Sequence, residues 1–448
     1  MPSSSPLGTT LLKAGQWTLF MLANLVVIPV VVGYAYHLGP AGTSQFLQRT
    51  LVLTGILSAF QVLLGHRLPL IEGPSGLWLS VFLALASESP TPEAAHATLG
   101  ALRVGLLAAG GLLTVFSLLG WVERIAAIFT PAVTGVYLIL LSLQLGNEFL
   151  PGMLLHQGHL ALAQTALGLA LMGLVMWVSL AGPAPMRPFA LLAGLAAGWL
   201  AYLALGLGPS PHWSRLPLVW PFASGWGYQW NLGILILCLL TGLINLTNTI
   251  ASLQAYQAAC EFLDAPAKPA PHLADRASLG TALGNLVAGI GSAVGMITFS
   301  ISAGYIQISR DLSRLTFLLA SLALIGLGLW PALTQVMASL PLPVGDAVLL
   351  VTYVQMLGMG LAALGRAQLT PRNVYRVGLP LVVGVGLMTL PASAYGAVPE
   401  AVRTIVSNGL LIGVLLVLGL ERLPWPDRAA PASPLETTSP RSSMIKGK

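Results

Sequence analysis

Two stretches decide how this chain is read: Leu68-Pro-Leu-Ile-Glu-Gly-Pro-Ser-Gly-Leu-Trp78 and Gly295-Met-Ile-Thr-Phe-Ser-Ile-Ser-Ala-Gly304. Each lies in an apolar run too short to cross a bilayer as one helix, and each mixes glycine with small hydroxyl residues. Unpaired backbone at membrane depth survives only where it lines a cavity or is buried in protein. Half-helices that start at such breaks aim backbone N–H groups at a polar ligand. The pair therefore predicts a substrate site between two broken segments, in a membrane protein.

The composition agrees. Charged residues are 8% of 448, against about 25% in soluble proteins, and 56% are hydrophobic with a mean hydropathy of +0.83. So few charges cannot cover a soluble surface, and the chain is read as an all-α polytopic membrane protein. Its partner is the lipid bilayer. Nucleic acid is excluded, because the basic residues behind the net charge of +6 are scattered singly between apolar runs. No cleavable signal is evident, and Cys238 and Cys260 are read as free thiols.

A spanning helix needs about 20 apolar residues. Fourteen candidate segments follow: 16–36, 47–65, 72–86, 99–120, 128–146, 160–181 and 188–207, then 232–254, 277–295, 296–309, 315–338, 344–364, 374–392 and 402–420. The Trp- and Pro-rich stretch 208–231 divides them seven and seven. With the N-terminus inside, sixteen Lys and Arg fall on the cytoplasmic side and four outside: Arg49, Arg103, Arg215 and Arg403. This bias predicts both termini in the cytoplasm of an inner (plasma) membrane protein. Seven spans per half insert the halves in opposite senses, the inverted-repeat plan of secondary transporters. The broken segments fall at the third and tenth places, matching positions in the two halves. The tail after Pro424 is expected to be disordered.

Glu72 stands apart among the acids, because it lies at the third-segment break. An unpaired charge at mid-bilayer costs roughly 2.5–3.5 kcal/mol or more. Glu72 is then either a protonatable ligand and proton-coupling group or a cap on the half-helix that follows. Asn245, Asn248 and Thr249 share one face of the eighth segment; they read a planar heterocycle or bond helix to helix. Asn24 poses the same choice. Ser75, Gly76, Thr298, Phe299, Ser300 and Ser302 surround the two breaks, with hydroxyls that bind substrate or satisfy loose backbone. Gly280-x-x-x-Gly284 and Gly291-x-x-x-Gly295 are read as close helix packing, and Glu123-Arg124 as an interfacial ion pair. His156-x-x-His159 lacks a third ligand, so no metal and no cofactor is expected. No catalytic motif is present, so the chain is not read as an enzyme. Lacking a nucleotide-binding loop, it would transport on an ion gradient or downhill.

At these residues the chain resembles the nucleobase–ascorbate transporter family, the uracil/xanthine permeases, and within it the purine permease branch. The resemblance runs from Gln16 to about Leu423. It rests on Phe129-Thr-Pro-Ala-Val-Thr-Gly135, Leu340-Pro-Leu-Pro-Val344, Pro371-Arg-Asn373 and Val406-Ser-Asn-Gly-Leu410. It implies fourteen helices in two inverted repeats, with short strands at the breaks of the third and tenth. It also implies a core domain (1–122 and 232–340), a gate domain (123–207 and 341–423), an external loop (208–231) and a cytoplasmic tail (424–448). By position, substrate-contacting backbone falls at Gly76 and Ser300. The family's two substrate glutamates fall at Asn245 and Ile301, so both carboxylates are gone, while Glu72 stands where many relatives have glutamine. The implied activity is import of a nucleobase, a purine such as xanthine, hypoxanthine or guanine, or else uracil, by proton symport and alternating access. A homodimer is also implied. An anion transporter or an uncoupled facilitator on the same fold is the alternative.

Overall fold

The computed structural model describes residues 7–423 except 88, 90, 129, 157–158, 208–224, 267–271 and 368–369. The expected disordered tail, Phe129 and most of the 208–231 loop lie outside the described residues. The chain is mostly helical, as it must be where no water is at hand to satisfy backbone groups.

Among the described residues, seven helices are long and apolar enough to cross a membrane: Leu7–Ala35 (as one run), Gly39–Leu63, Pro92–Leu118, Pro131–Leu154, Leu162–Ala181, Leu232–Phe262 and Leu342–Arg366. The pair Arg314–Gly328 and Pro331–Ala338 makes an eighth, bent by 83° where Pro331 opens the second helix. The other expected segments are broken, shorter or less apolar helices. Boundaries shift from those expected. The first run begins at Leu7 rather than 16 and breaks at Val26, where Pro29 withholds an N–H from the helix. The eighth segment continues to Phe262, 31 residues or about 46 Å, so Cys260 lies inside a helix. Both cysteines are free and buried.

Two sets of helices pack mainly among themselves. Pro92–Leu118 lies against Leu273–Gly291 and Leu232–Phe262, and Gly39–Leu63 lies against the bent pair. In the second set, Pro131–Leu154 packs on Leu342–Arg366, and Pro371–Thr389 on Gly409–Arg422. Gly135 and Gly360 face one another where Pro131–Leu154 meets Leu342–Arg366: a Cβ on either would stand 3.1 Å from the other's carbonyl oxygen. Small residues at such crossings let backbones touch, which supplies packing that the hydrophobic effect cannot supply in lipid.

Both broken segments contain the strands that the resemblance implied. They are β1 (Glu72–Pro74) and β4 (Met296–Thr298), and β2 (Leu155–His156) and β3 (His159–Leu160) form a separate hairpin. β1 and β4 pair antiparallel, with Glu72 opposite Thr298, Gly73 opposite Ile297 and Pro74 opposite Met296. The ladder is closed at both ends: Ser75 N–H donates to Gly295 O at 2.9 Å and Phe299 N–H to Ile71 O at 2.8 Å. Half-helices Gly76–Ser87 and Ile301–Ser309 leave from this pair.

Candidate functional site

A cavity of about 160 Å³ lies where the strand pair and its half-helices meet the second helix set. That is roughly ten times the volume one water requires. Asn24, Ser75, Gly76, Asn248, Thr298, Phe299 and Ser300 line one side, and Tyr137, Thr352 and Tyr353 the other. The polar groups converge on it sparsely. The Asn248 amide donates to the Tyr137 hydroxyl at 3.3 Å. Ser75 Oγ donates to Asn245 Oδ1 at 3.1 Å and accepts from Leu77 N–H at 3.2 Å. The Thr352 hydroxyl is buried without a partner. Tyr353 stacks on Phe149, with centroids 5.5 Å apart and rings 4° from parallel, so the ring beside Gly76 is held flat. A mostly apolar slot with a few fixed donors and acceptors suits a small planar polar ligand.

Four of the expected binding residues do not line this cavity. Glu72 is fully buried and is not among the residues that line the cavity. Its Oε2 accepts from the Thr298 hydroxyl at 2.8 Å and from the Gln61 amide at 3.2 Å, and its backbone N–H donates to Ser58 Oγ at 3.0 Å. Oε1 has no partner. Register makes the link: opposite residues of an antiparallel pair project from the same face, which brings the carboxylate to the Thr298 hydroxyl. Nor does Glu72 cap the half-helix, since its carboxylate is engaged by Gln61 and Thr298. Asn245 reaches the site only through Ser75, and its Nδ2 is buried without a partner. Thr249 is buried, with its hydroxyl unpartnered. Ser302 Oγ accepts from Ile71 N–H at 3.1 Å and fastens the two breaks together.

The helical face shared by Asn245, Asn248 and Thr249 is thus divided, and only Asn248 reaches the cavity. Asn24 lines it too, but its amide donates to Phe20 O at 2.8 Å. Sequence reasoning missed Tyr137, Thr352, Tyr353 and Gln61. Tyrosines in apolar segments carry a polar tip that needs a partner when buried, and that was the available signal. For Gln61 it was an amide in a span, as with Asn245.

A second, larger cavity of about 690 Å³ shares Asn248 and Ser300 with the first and is also lined by Glu123, Gln254 and Arg366. Glu123 therefore borders open space, and no Glu123–Arg124 ion pair is found among the described residues. Gly280 serves close helix approach, since a side chain there would collide with the Gln61 amide, whereas Gly295 lies beyond the end of the Leu273–Gly291 helix, where one would collide with the Trp78 ring. No group of three metal-binding side chains is found among the described residues.

Strand-paired half-helices meeting a second helix set at a small cavity make this a multi-pass membrane permease. The fold is that of solved anion-transporter domains. It matches the transmembrane domain of a cyanobacterial bicarbonate transporter, BicA, with a TM-score of 0.56 at 17% identity, covering 91% of this chain and 98% of that one. It matches murine Slc26a9 in the inward-facing state with a TM-score of 0.59 at 11% identity, covering 93% and 68%. Sequence then places it: the chain belongs to the xanthine/uracil permease family (Permease family), whose profile matches residues 8–393. Bacillus subtilis (strain 168) YwdJ, named as a purine permease, is 29% identical over 92% of this chain and 95% of its own length. PucJ from the same strain, a uric acid permease, is 24% identical over 90% of each. XanP of Escherichia coli (strain K12), a xanthine permease, is 25% identical over 94% of this chain and 93% of its own.

Proposed function

We propose that this permease carries a nucleobase, a purine such as xanthine, hypoxanthine or guanine or else uracil, into the cell by proton symport and alternating access. The observation that carries the reading is the small cavity between the strand-paired breaks and the Tyr137–Tyr353 wall. It is joined by relatives named for purine, uric acid and xanthine. In this reading the Asn248 amide and Tyr137 hydroxyl read the ring edge, and Gly76 and Ser300 offer backbone. Ser75, aimed by Asn245, supplies a hydroxyl. Each such bond is worth about 0.5–1.5 kcal/mol net. Thr298 lines the cavity and donates to Glu72, so a proton on Glu72 would alter the hydroxyl's partner and, through it, the site. Glu72 is then the coupling group behind the site, and Asn245 and Thr249 support it without touching substrate.

The same proposal holds that fourteen segments form two inverted repeats, with core 1–122 and 232–340 moving against gate 123–207 and 341–423. The separate packing of the two helix sets supports it. Both termini lie in the cytoplasm of the inner membrane, and the protein is a homodimer. The larger cavity then opens inward, because Arg366 sits on the positive side. A second reading, anion transport, draws on the fold shared with BicA and Slc26a9 and on the half-helix starts at the site.

Uptake into proteoliposomes of labelled xanthine, hypoxanthine, guanine, adenine, uracil and bicarbonate, with and without an inward proton gradient, tests these readings. Saturable uptake of one nucleobase, accelerated by the gradient, is expected. Nucleobase uptake indifferent to the gradient would leave a facilitator, and bicarbonate uptake alone would overturn the nucleobase reading.

A further inference from the structure

Asp346 is a buried acid that the site above does not use. It is the fifth residue of Leu342–Arg366 and only 2% exposed. Its carboxylate lies against Gly152 of Pro131–Leu154, at a spot where any side chain would collide with it. Tyr202 of Ala190–Ala204 is likewise 2% exposed, its hydroxyl is buried without a partner, and the Asp346 charge acts on it. The helices packed against Leu342–Arg366 include Pro131–Leu154, Leu162–Ala181, Ala190–Ala204 and Val27–Ala35. Among their described residues Tyr202 is the one titratable group found acting with Asp346, and no cation offsets it.

A buried acid beside a glycine that leaves room for it, near a tyrosine hydroxyl without a partner, is a costly arrangement in apolar packing. Among the described residues no cation offsets a charge here, whereas an acid carrying its proton has no charge to desolvate. The neighbouring residue sharpens the point. Gly345 lies where a Cβ would come within 3.1 Å of Val27, on the helix that continues from the cavity residue Asn24. A change of state at Asp346 is therefore made one residue from the contact between the two helix sets.

We propose that Asp346 is a proton-carrying site of the second helix set, distinct from Glu72, loading and releasing its proton as the contact beside Gly345 opens and closes. In the proposed topology it sits near the outer membrane face, where a proton from outside arrives. Its role rests on the transport reading, but its existence does not.

Infrared difference spectra of the purified protein in liposomes, taken across a pH step, test it directly. The wild type and Glu72→Gln should show a protonated-carboxyl band that Asp346→Asn lacks and Tyr202→Phe shifts. A wild-type spectrum unchanged by Asp346→Asn would overturn the proposal. So would a band removed by sodium chloride but not by choline chloride at constant pH, which would make this a sodium site. In transport, Asp346→Asn should keep substrate counterflow while accumulation per pH unit falls about tenfold, one proton's worth; unchanged accumulation would also overturn the role. Wild-type liposomes that take up no nucleobase would sink the functional reading alone, since the infrared result stands apart from it.

Discussion

The Thr298 hydroxyl donates to Glu72 at 2.8 Å across the β1–β4 pair, joining residues 226 positions apart. It ties an acid that never meets the cavity to a residue that lines it. The Gln61 amide holds the same carboxylate oxygen at 3.2 Å and also donates to Ala277 O at 3.1 Å. Glu72 is thereby fixed from Gly39–Leu63, from the Leu273–Gly291 helix through Gln61, and from β4.

Glu72→Gln keeps the shape but cannot titrate. Substrate counterflow should persist within a few-fold while accumulation per pH unit of the gradient falls about tenfold, one proton's worth. Accumulation left unchanged by this substitution would show that Glu72 is not a coupling group.

Thr298→Val removes the link and leaves the rest of the cluster in place. With a buried carboxylate oxygen losing a donor, about 1–3 kcal/mol of stability should go, seen as a lower melting temperature in detergent. The pH profile of uptake should move with it, which a purely structural threonine would not produce.

Gly280→Ala places a methyl group into the Gln61 amide. It should destabilise by about 1–3 kcal/mol, the range for overpacking. In a Gln61→Ala background the same change should cost much less, a coupling that a double-mutant cycle reads directly. Equal costs in both backgrounds would mean that Gly280 does not make room for Gln61.

At the cavity, Ser75→Ala and Asn248→Leu each remove a hydrogen-bonding group from the proposed substrate. Each should raise KM about five- to tenfold, as expected for a lost bond near 1 kcal/mol. Asn245→Leu should raise KM less than Ser75→Ala if it acts only by aiming the serine. An Asn245 effect exceeding that of Ser75 would point to direct contact instead.

His66, between Gly39–Leu63 and β1, is buried, and burial together with Arg276 and Arg314 pushes its imidazole down from 6.5 to about 3. Its Nδ1 accepts from Leu68 N–H at 3.0 Å. The folded protein therefore holds it neutral while the unfolded chain takes up a proton below 6.5. Its contribution is complete above 6.5 and is lost progressively as pH falls from 6.5 toward 3. Melting temperatures should drop over that window, and His66→Gln should flatten the drop.

Much of the site was legible in one dimension. Glycine and hydroxyl residues in runs too short to span marked both breaks, and Ser75, Gly76, Thr298, Phe299 and Ser300 do line the cavity. What the pattern could not carry was direction. The shared face of Asn245, Asn248 and Thr249 is a property of one helix, but which neighbour it meets depends on how that helix is rotated and shifted against the strand pair. Tyr137 and Tyr353 read as ordinary members of apolar segments, because nothing local says that two distant helices converge.

The sequence by itself determined that this chain lives in a membrane, where its backbone can break, and which polar residues cluster at the breaks. These follow from local composition: too few charges for water, too little apolar length for a full span, and too much glycine for an unbroken helix. Only the tertiary structure decided that Glu72 is bonded to Thr298 and does not line the cavity, that Asn245 is bonded to Ser75, and that Asp346 is buried. Strand register and helix rotation are set by packing across hundreds of residues, and a one-residue slip in that register would turn Glu72 to the opposite face.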